Sequence, residues 1–255
     1  MSILKNEIPI LEFDTAQTAV IDPDHEHFDL QLPKKCVFAF LGRHIDEYAE
    51  KVGACKVTEF ISATKRYPIY VTNYKGKDIV FCQAPVGAPA AVQVLDWLIG
   101  YGVREIISAG SCGALEAFPE GTFLVPKKAL RDEGTSYHYA PPSRFIELNG
   151  NARKAIAKTI LEHGMKYQEV ITWSTDAMFR ETRDMVAYRK SEGCAVVKME
   201  CSALAAVAAF RDVTFGMIFY TADSLANVEQ YDMRNWGGNA YEYAMKLCMD
   251  AVLKL

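Results

Sequence analysis

No run of apolar residues in this chain reaches the roughly 20 needed to cross a bilayer as a helix. Its opening residues, MSILKNEIPILEFD, also lack the basic, apolar and small-residue succession of a signal peptide. The expectation is a soluble cytoplasmic protein with no membrane partner. Basic charge is scarce, since 28 Lys and Arg are outnumbered by 32 Asp and Glu, for a net charge of −4. That balance argues against nucleic-acid binding through a broad basic face, so an anionic substrate would be held by a few local cations or amides. The seven cysteines are odd in number and include no C-x-x-C pair, and the five histidines show no ligand spacing. Free thiols in a reducing compartment follow, with no disulfide framework and no metal. Internal repeats, low-complexity tracts and linkers are missing too. Residues 35–255 therefore read as one α/β domain, and the mixed residues 1–34, rich in Pro, Asp and His, as an arm packed on it.

What is present is an alternation of two periodicities. Apolar, β-branched runs at 36–41, 69–72, 79–83, 105–109, 121–130, 167–173, 195–197 and 215–221 predict strands. Helical spacing predicts helices over 89–101, 151–163, 180–191, 202–208 and 241–255. The stretch N-Y-K-G-K-D joins two of the strands as a hairpin, Gly102 stops a helix, and Pro126 marks a bulge or an edge. Strands alternating with helices at this spacing predict a central mixed, mostly parallel sheet with helices on both faces.

Five places could carry chemistry. In C-A-V-V-K-M-E-C-S-A-L-A-A-V-A (194–208), Glu200 is a lone carboxylate where a buried strand turns into a buried helix. Such a group needs donors: sugar hydroxyls at the strand's carboxyl end, or else a helix cap or a Lys or Arg partner. Gly110-Ser111-Cys112-Gly113 follows a strand, either as a turn whose amides and hydroxyl converge on an anion or as a plain tight turn. No Gly-Lys-Ser/Thr follows it and it is not G-x-G-x-x-G, so neither a Walker loop nor dinucleotide binding is supported. Cys112 within it is a nucleophile or a small buried thiol. Asp223 ends an apolar strand, as a proton donor to a leaving group or as a turn or N-cap aspartate. Phe179 sits in a loop after a strand, to stack on a flat heterocycle or simply to pack. The charges of Arg131-Asp132-Glu133 and His138 line a polar loop and can pair with each other.

The order of these pieces resembles the nucleoside phosphorylase family, which includes purine nucleoside phosphorylases, uridine phosphorylases and nucleosidases. The resemblance runs from about Cys36 to Asp223 through S-A-G-S-C-G-A (108–114), R-D-E-G-T-S-Y-H-Y-A-P-P (131–142), S-T-D-A-M-F-R-E-T (174–182), K-M-E-C-S-A-L (198–204) and T-A-D-S-L (221–225). It implies that Met199 and Glu200 are the Met-Glu pair whose carboxylate accepts from the ribose 2′- and 3′-hydroxyls. Phe179 would stack on the base. Ser111 with the amides of Gly110 and Cys112, and Gly42, would bind phosphate. Asp223 would protonate a purine at N7. The 131–142 loop looks like the uridine enzymes, whereas the aspartate at 223 favours a purine. Two family arginines have no counterpart: the first loop reads Gly42-Arg43-His44-Ile45-Asp46, and Ser108 stands before the glycine-rich stretch. Arg43 and Arg66 are the replacements on offer. The resemblance implies phosphorolysis of a purine nucleoside, with phosphate as co-substrate and no cofactor, by a homo-oligomer (dimer or hexamer). In such an assembly, His25 or His27 of the arm is the candidate to complete a neighbour's site. Hydrolysis, uridine phosphorolysis and nucleoside binding without turnover are the alternatives.

Overall fold

In the computed structural model, which describes residues 3–255, the chain runs β1 (Lys35–Ala39), α1 (His44–Val52), β2 (Cys55–Ile61), β3 (Arg66–Tyr74), β4 (Lys77–Gln83) and α2 (Ala88–Gly100). It continues with β5 (Glu105–Ala114), β6 (Phe123–Asp132), β7 (Phe145–Glu147), α3 (Gly150–Glu162), β8 (Gln168–Thr175) and α4 (Arg183–Ser191). The last elements are β9 (Cys194–Lys198), α5 (Cys201–Phe210), β10 (Thr214–Ser224) and α6 (Tyr241–Val252). None of the helices among the described residues is long and apolar enough to cross a membrane.

Alternation along β1 sets the layers. Cys36 and Phe38 face one core with Val92 and Leu95 of α2 and Leu204 and Val207 of α5. Val37 and Ala39 face the other, with Ile45 of α1, Ile156 of α3 and Leu247 of α6. Successive strand residues point to opposite faces, and both faces are covered, so the strand has to be apolar throughout. The helix α5 is buried from Cys201 through Ala208, which explains its small, apolar composition.

The strands form two parallel blocks, β4–β1–β5–β10 and β6–β8–β9. Short antiparallel ladders join the blocks at both ends, Phe219↔Leu124 and Tyr220↔Phe123 on one side, Gly113↔Val197 and Ala114↔Val196 on the other. Strands β5, β10, β6, β8 and β9 thus close into a ring, and the β3–β4 hairpin extends the sheet toward the edge strand β2. The bulge expected at Pro126 is there, as a register shift between Pro126 and Lys128. Gly102 has φ +116, and a Cβ there would lie 2.9 Å from the Leu32 carbonyl oxygen, so the residue ending this helix has to be glycine.

Residues between Gln17 and Phe28 are tied to α2 and to the end of α5. The Trp97 indole donates to Glu26 at 2.7 Å, Phe28 stacks on Tyr101, and Arg211 donates to the Gln17 carbonyl. The one helical segment of residues 3–34 is the short 3-10 turn Pro9–Leu11.

Four sequence expectations are corrected. The Gly110–Gly113 stretch is not a turn: β5 stays extended to Ala114, and neither glycine has a positive φ. Pairing with β10 up to Cys112 and with β9 at Gly113 and Ala114 keeps it straight. Extended backbone sends its N–H groups alternately to opposite edges, so it offers separate amides where a turn would gather them. Asp223 lies inside β10, one residue before its end. The helix expected from 180 starts at Arg183, because the Thr182 hydroxyl accepts from the Met185 amide and caps it. Strand β2 was not foreseen; it lies at the edge, half exposed, with a register shift between Lys56 and Thr58 that spoils the alternation of C-K-V-T-E-F-I.

Candidate functional site

The two glycines of β5 are explained by what crosses them. A Cβ at Gly110 would lie 3.2 Å from Lys198 Cε and from Phe40 Cβ. One at Gly113 would lie 2.9 Å from Val197 Cγ1 and 3.5 Å from Asp223 Oδ1. The end of β9 and the end of β10 therefore flank the same short ribbon of β5, and the missing side chains let the neighbours close over it. Glu200 follows β9 and Asp223 lies in β10, so the two carboxylates expected from the sequence stand on either side of Gly110–Gly113.

Glu200 is fully buried. Its Oε1 accepts from the Gly87 amide at 2.8 Å, and Lys198 Nζ lies 2.8 Å from Oε2. It makes no side-chain cap bond to α5. Of the alternatives left open by the sequence, a lysine partner is the one present, and the amide of Gly87, at φ +98, is a second donor. The start of α5 is braced by the polar loop. The Ser202 hydroxyl donates to Glu133 Oε1 at 2.8 Å, Glu133 Oε2 accepts from the Ser136 amide, and the Ser202 amide donates to Ser174 Oγ. Arg131 donates to Ser136 and Ser143 hydroxyls and to the carbonyls of Ala140 and Pro141, which ties the same loop together. The charges of this loop thus organise the loop itself and seat the helix that follows Glu200. Glu133→Ala would leave a buried hydroxyl and a buried amide without acceptors. A loss of about 3 kcal/mol in urea unfolding is expected.

On the other side, Asp223 is half-buried and accepts from the Tyr231 hydroxyl at 3.1 Å. Burial raises its carboxyl above the ordinary aspartate range, against the opposing pull of the Tyr231 bond and the Arg234 charge. Glu181, just after the Met178–Arg180 turn, is raised to about 7 by burial and by the charge of Asp223. The folded chain thus holds a proton on Glu181 that the unfolded chain releases. That contribution to stability is complete below about pH 4.5, the group's ordinary value, and is lost as pH rises through about 7. Glu181→Gln should abolish that decline. By about pH 8 the variant should exceed the parent by on the order of 2 kcal/mol in urea unfolding, allowing for the group's partial exposure.

The remaining residues named from the sequence are spread more widely. Met199 is half-buried beside Glu200, and Ser111 is half-buried opposite Tyr220 in the β5–β10 ladder. Cys112 is buried, its thiol donates to the Tyr220 carbonyl at 3.6 Å, and burial pushes its pKa well up, which favours the buried-thiol reading. Gly42 turns the chain after β1 with φ +57 and open space around it. Phe179 is 91% exposed and not brought against the other groups. Arg43 and Arg66 are both exposed and engaged by carboxylates of their own neighbourhood, Glu47 and Glu59. Arg66 lies on β3, separated from β5 by β4 and β1. A cleft of about 780 Å³ runs along the 224–234 loop, lined among others by Ser224, Tyr231 and Arg234. A smaller one of about 150 Å³ opens between Glu181, Arg183, Leu225 and Tyr231.

Two functional-looking groups escaped the sequence reading. Lys198 carried a signal, a cation two residues before the lone glutamate, which along an extended strand places both on one face. Glu181 carried none, since the sequence reading places it at the start of the charged helix expected over 180–191.

The profile described as the Phosphorylase superfamily matches residues 34–252. The chain is 25% identical over 165 residues to a guanosine phosphorylase of Halorubrum lacusprofundi, covering 64% of this chain and 68% of that protein. It is 25% identical over 122 residues to the uridine phosphorylase of Haemophilus influenzae, and this match spans about half of that relative, 48% of each chain. Among solved structures, a uridine phosphorylase from Vibrio fischeri superposes with a TM-score of 0.75 over 92% of this chain and 94% of that one. At 21% identity this is a likeness of fold.

Proposed function

Because this chain belongs to the phosphorylase superfamily, we propose that it cleaves the N-glycosidic bond of a purine nucleoside with phosphate, giving the free base and ribose 1-phosphate. The observation that carries the reading is the pair of carboxylates flanking Gly110–Gly113, one paired and fully buried, the other raised toward its neutral form. Those two states suit two tasks. Glu200, paired with Lys198, accepts from ribose hydroxyls and fixes the sugar, an effect of orientation. A protonated Asp223 donates its proton to the departing base. The C–N bond stretches first, positive charge grows on the ribosyl ring, and the phosphate anion stabilises it before its oxygen bonds to the anomeric carbon. The proposal places the enzyme in the cytoplasm as a homo-oligomer.

The test is base release from inosine, guanosine, adenosine and uridine, each with and without phosphate. Release from the purine nucleosides that requires phosphate and yields ribose 1-phosphate is the expected result. Equal release without phosphate would convert the assignment to a nucleosidase, a reading favoured by Arg43 and Arg66 being engaged elsewhere. Preference for uridine would overturn the role given to Asp223, and tight binding without turnover would leave only a nucleoside-binding protein.

A further inference from the structure

Phosphorolysis needs a cation for the phosphate, and the two arginines that the sequence offered for it do not supply one. Arg43 and Arg66 point outward into ion pairs of their own, and position 108 is a fully buried serine. Lys198 is placed differently. Its side chain is 9% exposed, its Cε packs over Gly110, and its Nζ sits 4.2 Å from the centre of the Phe40 ring. An ammonium has three donors, and among the described residues its one ion-pair partner is Glu200. That pairing is close but poorly directed, because Glu200 Oε2 makes no well-formed hydrogen bond although it is buried. The resting site therefore holds a cation with donors to spare beside a carboxylate oxygen with an unmet acceptor. A ligand pair bringing an anion and hydroxyl donors would satisfy both.

We propose that Lys198 is the phosphate-binding cation of this site, and that taking up phosphate frees Glu200 for the sugar, so that the two substrates bind cooperatively. The proposal rests on the phosphorolytic reading. Without an anion, the ammonium neutralises Glu200 and competes with the ribose hydroxyls for it. With phosphate bound, the ammonium turns to the stronger multiple acceptor, as a point charge on a flexible stem can, and Glu200 Oε2 becomes available. Coupling of this kind is reciprocal, so nucleoside should tighten phosphate binding by the factor by which phosphate tightens nucleoside.

The experiment is calorimetric titration of inorganic phosphate into the full chain, beside steady-state kinetics, for the parent, Lys198→Met, Lys198→Arg and the double variant Lys198→Met/Glu200→Gln. Lys198→Met should weaken phosphate binding about tenfold or more and raise the phosphate KM more than it changes kcat, while Lys198→Arg restores most of the affinity. The double variant, which leaves no buried charge stranded, should still bind phosphate weakly. Parent-like phosphate affinity in the double variant would overturn the proposal, since Lys198 would then serve only to neutralise Glu200. So would a parent that binds no phosphate. Phosphate bound through Lys198 without phosphate-dependent turnover would sink the phosphorolytic reading and leave the anion site standing. Phosphate-dependent turnover with a phosphate KM indifferent to position 198 would do the reverse.

Discussion

Asp223→Asn should lower kcat by on the order of 10²–10⁴-fold on purine nucleosides, the usual contribution of a positioned acid. The amide keeps the shape and can still accept from the Tyr231 hydroxyl, which now donates to Asp223 Oδ2, so circular dichroism should be unchanged. The pH profile separates loss of the acid from loss of structure. Burial raises the Asp223 carboxyl, so the active, protonated form is complete at low pH, and activity falls as pH climbs through that raised value. The asparagine variant should lack this falling limb. Its stability should move the other way: the amide never carries the half-buried charge, so above the carboxyl's pKa the variant should resist urea slightly better than the parent. A variant retaining the parental rate would remove Asp223 from the chemistry.

Glu200→Gln is expected to act on both activity and stability. If Glu200 holds the ribose hydroxyls as proposed, loss of its charge should reduce kcat/KM about 10²-fold or more, with kcat bearing most of the loss, since truncating an orienting contact misplaces the sugar in the transition state. The same change removes the counter-ion of Lys198, whose side chain is almost buried. Breaking a buried pair from one side costs about 3 kcal/mol or more, because the remaining charge is left in a poor solvent. Urea unfolding measures this directly. The double variant with Lys198→Met should recover a large part of the stability and none of the activity. Recovery of both would mean that Glu200 serves the fold alone.

The parts of this molecule that could be read in the sequence are those governed by local pattern. The run 36–41 is apolar at every position because both faces of β1 are covered, and N-Y-K-G-K-D could close a hairpin because Lys75 and Gly76 take up the left-handed backbone a tight turn requires. Pro126 announced its own bulge. What escaped was set by neighbours distant in the chain. Glycines at 110 and 113 have the same appearance in a turn as in a strand, and only the arrival of β9 and β10 on either side decides between them. Glu200 could be marked as needing a partner, but whether that partner was a hydroxyl, a cap or a lysine depended on where the Lys198 side chain went. Glu181 draws its raised pKa from burial and from the charge of Asp223, a residue far along the chain that only the fold brings near. Edge strand β2 was hidden because an exposed, shifted strand loses the alternation by which strands are found.

The closed circuit of five strands has a mechanical consequence. Its two parallel blocks are stitched together by ladders of just two register pairs each, and one of those stitches, Gly113↔Val197 with Ala114↔Val196, runs directly beneath Lys198 and Glu200. Long ladders such as β10 with β5 resist opening, whereas a two-pair stitch is a low-energy place for the barrel to unzip. Splitting there would carry Glu200 away from Asp223 without unfolding either block. Amide exchange at Val196 and Val197 faster than along β5 and β10 would record this breathing, and bound substrate, spanning the slit, would slow it.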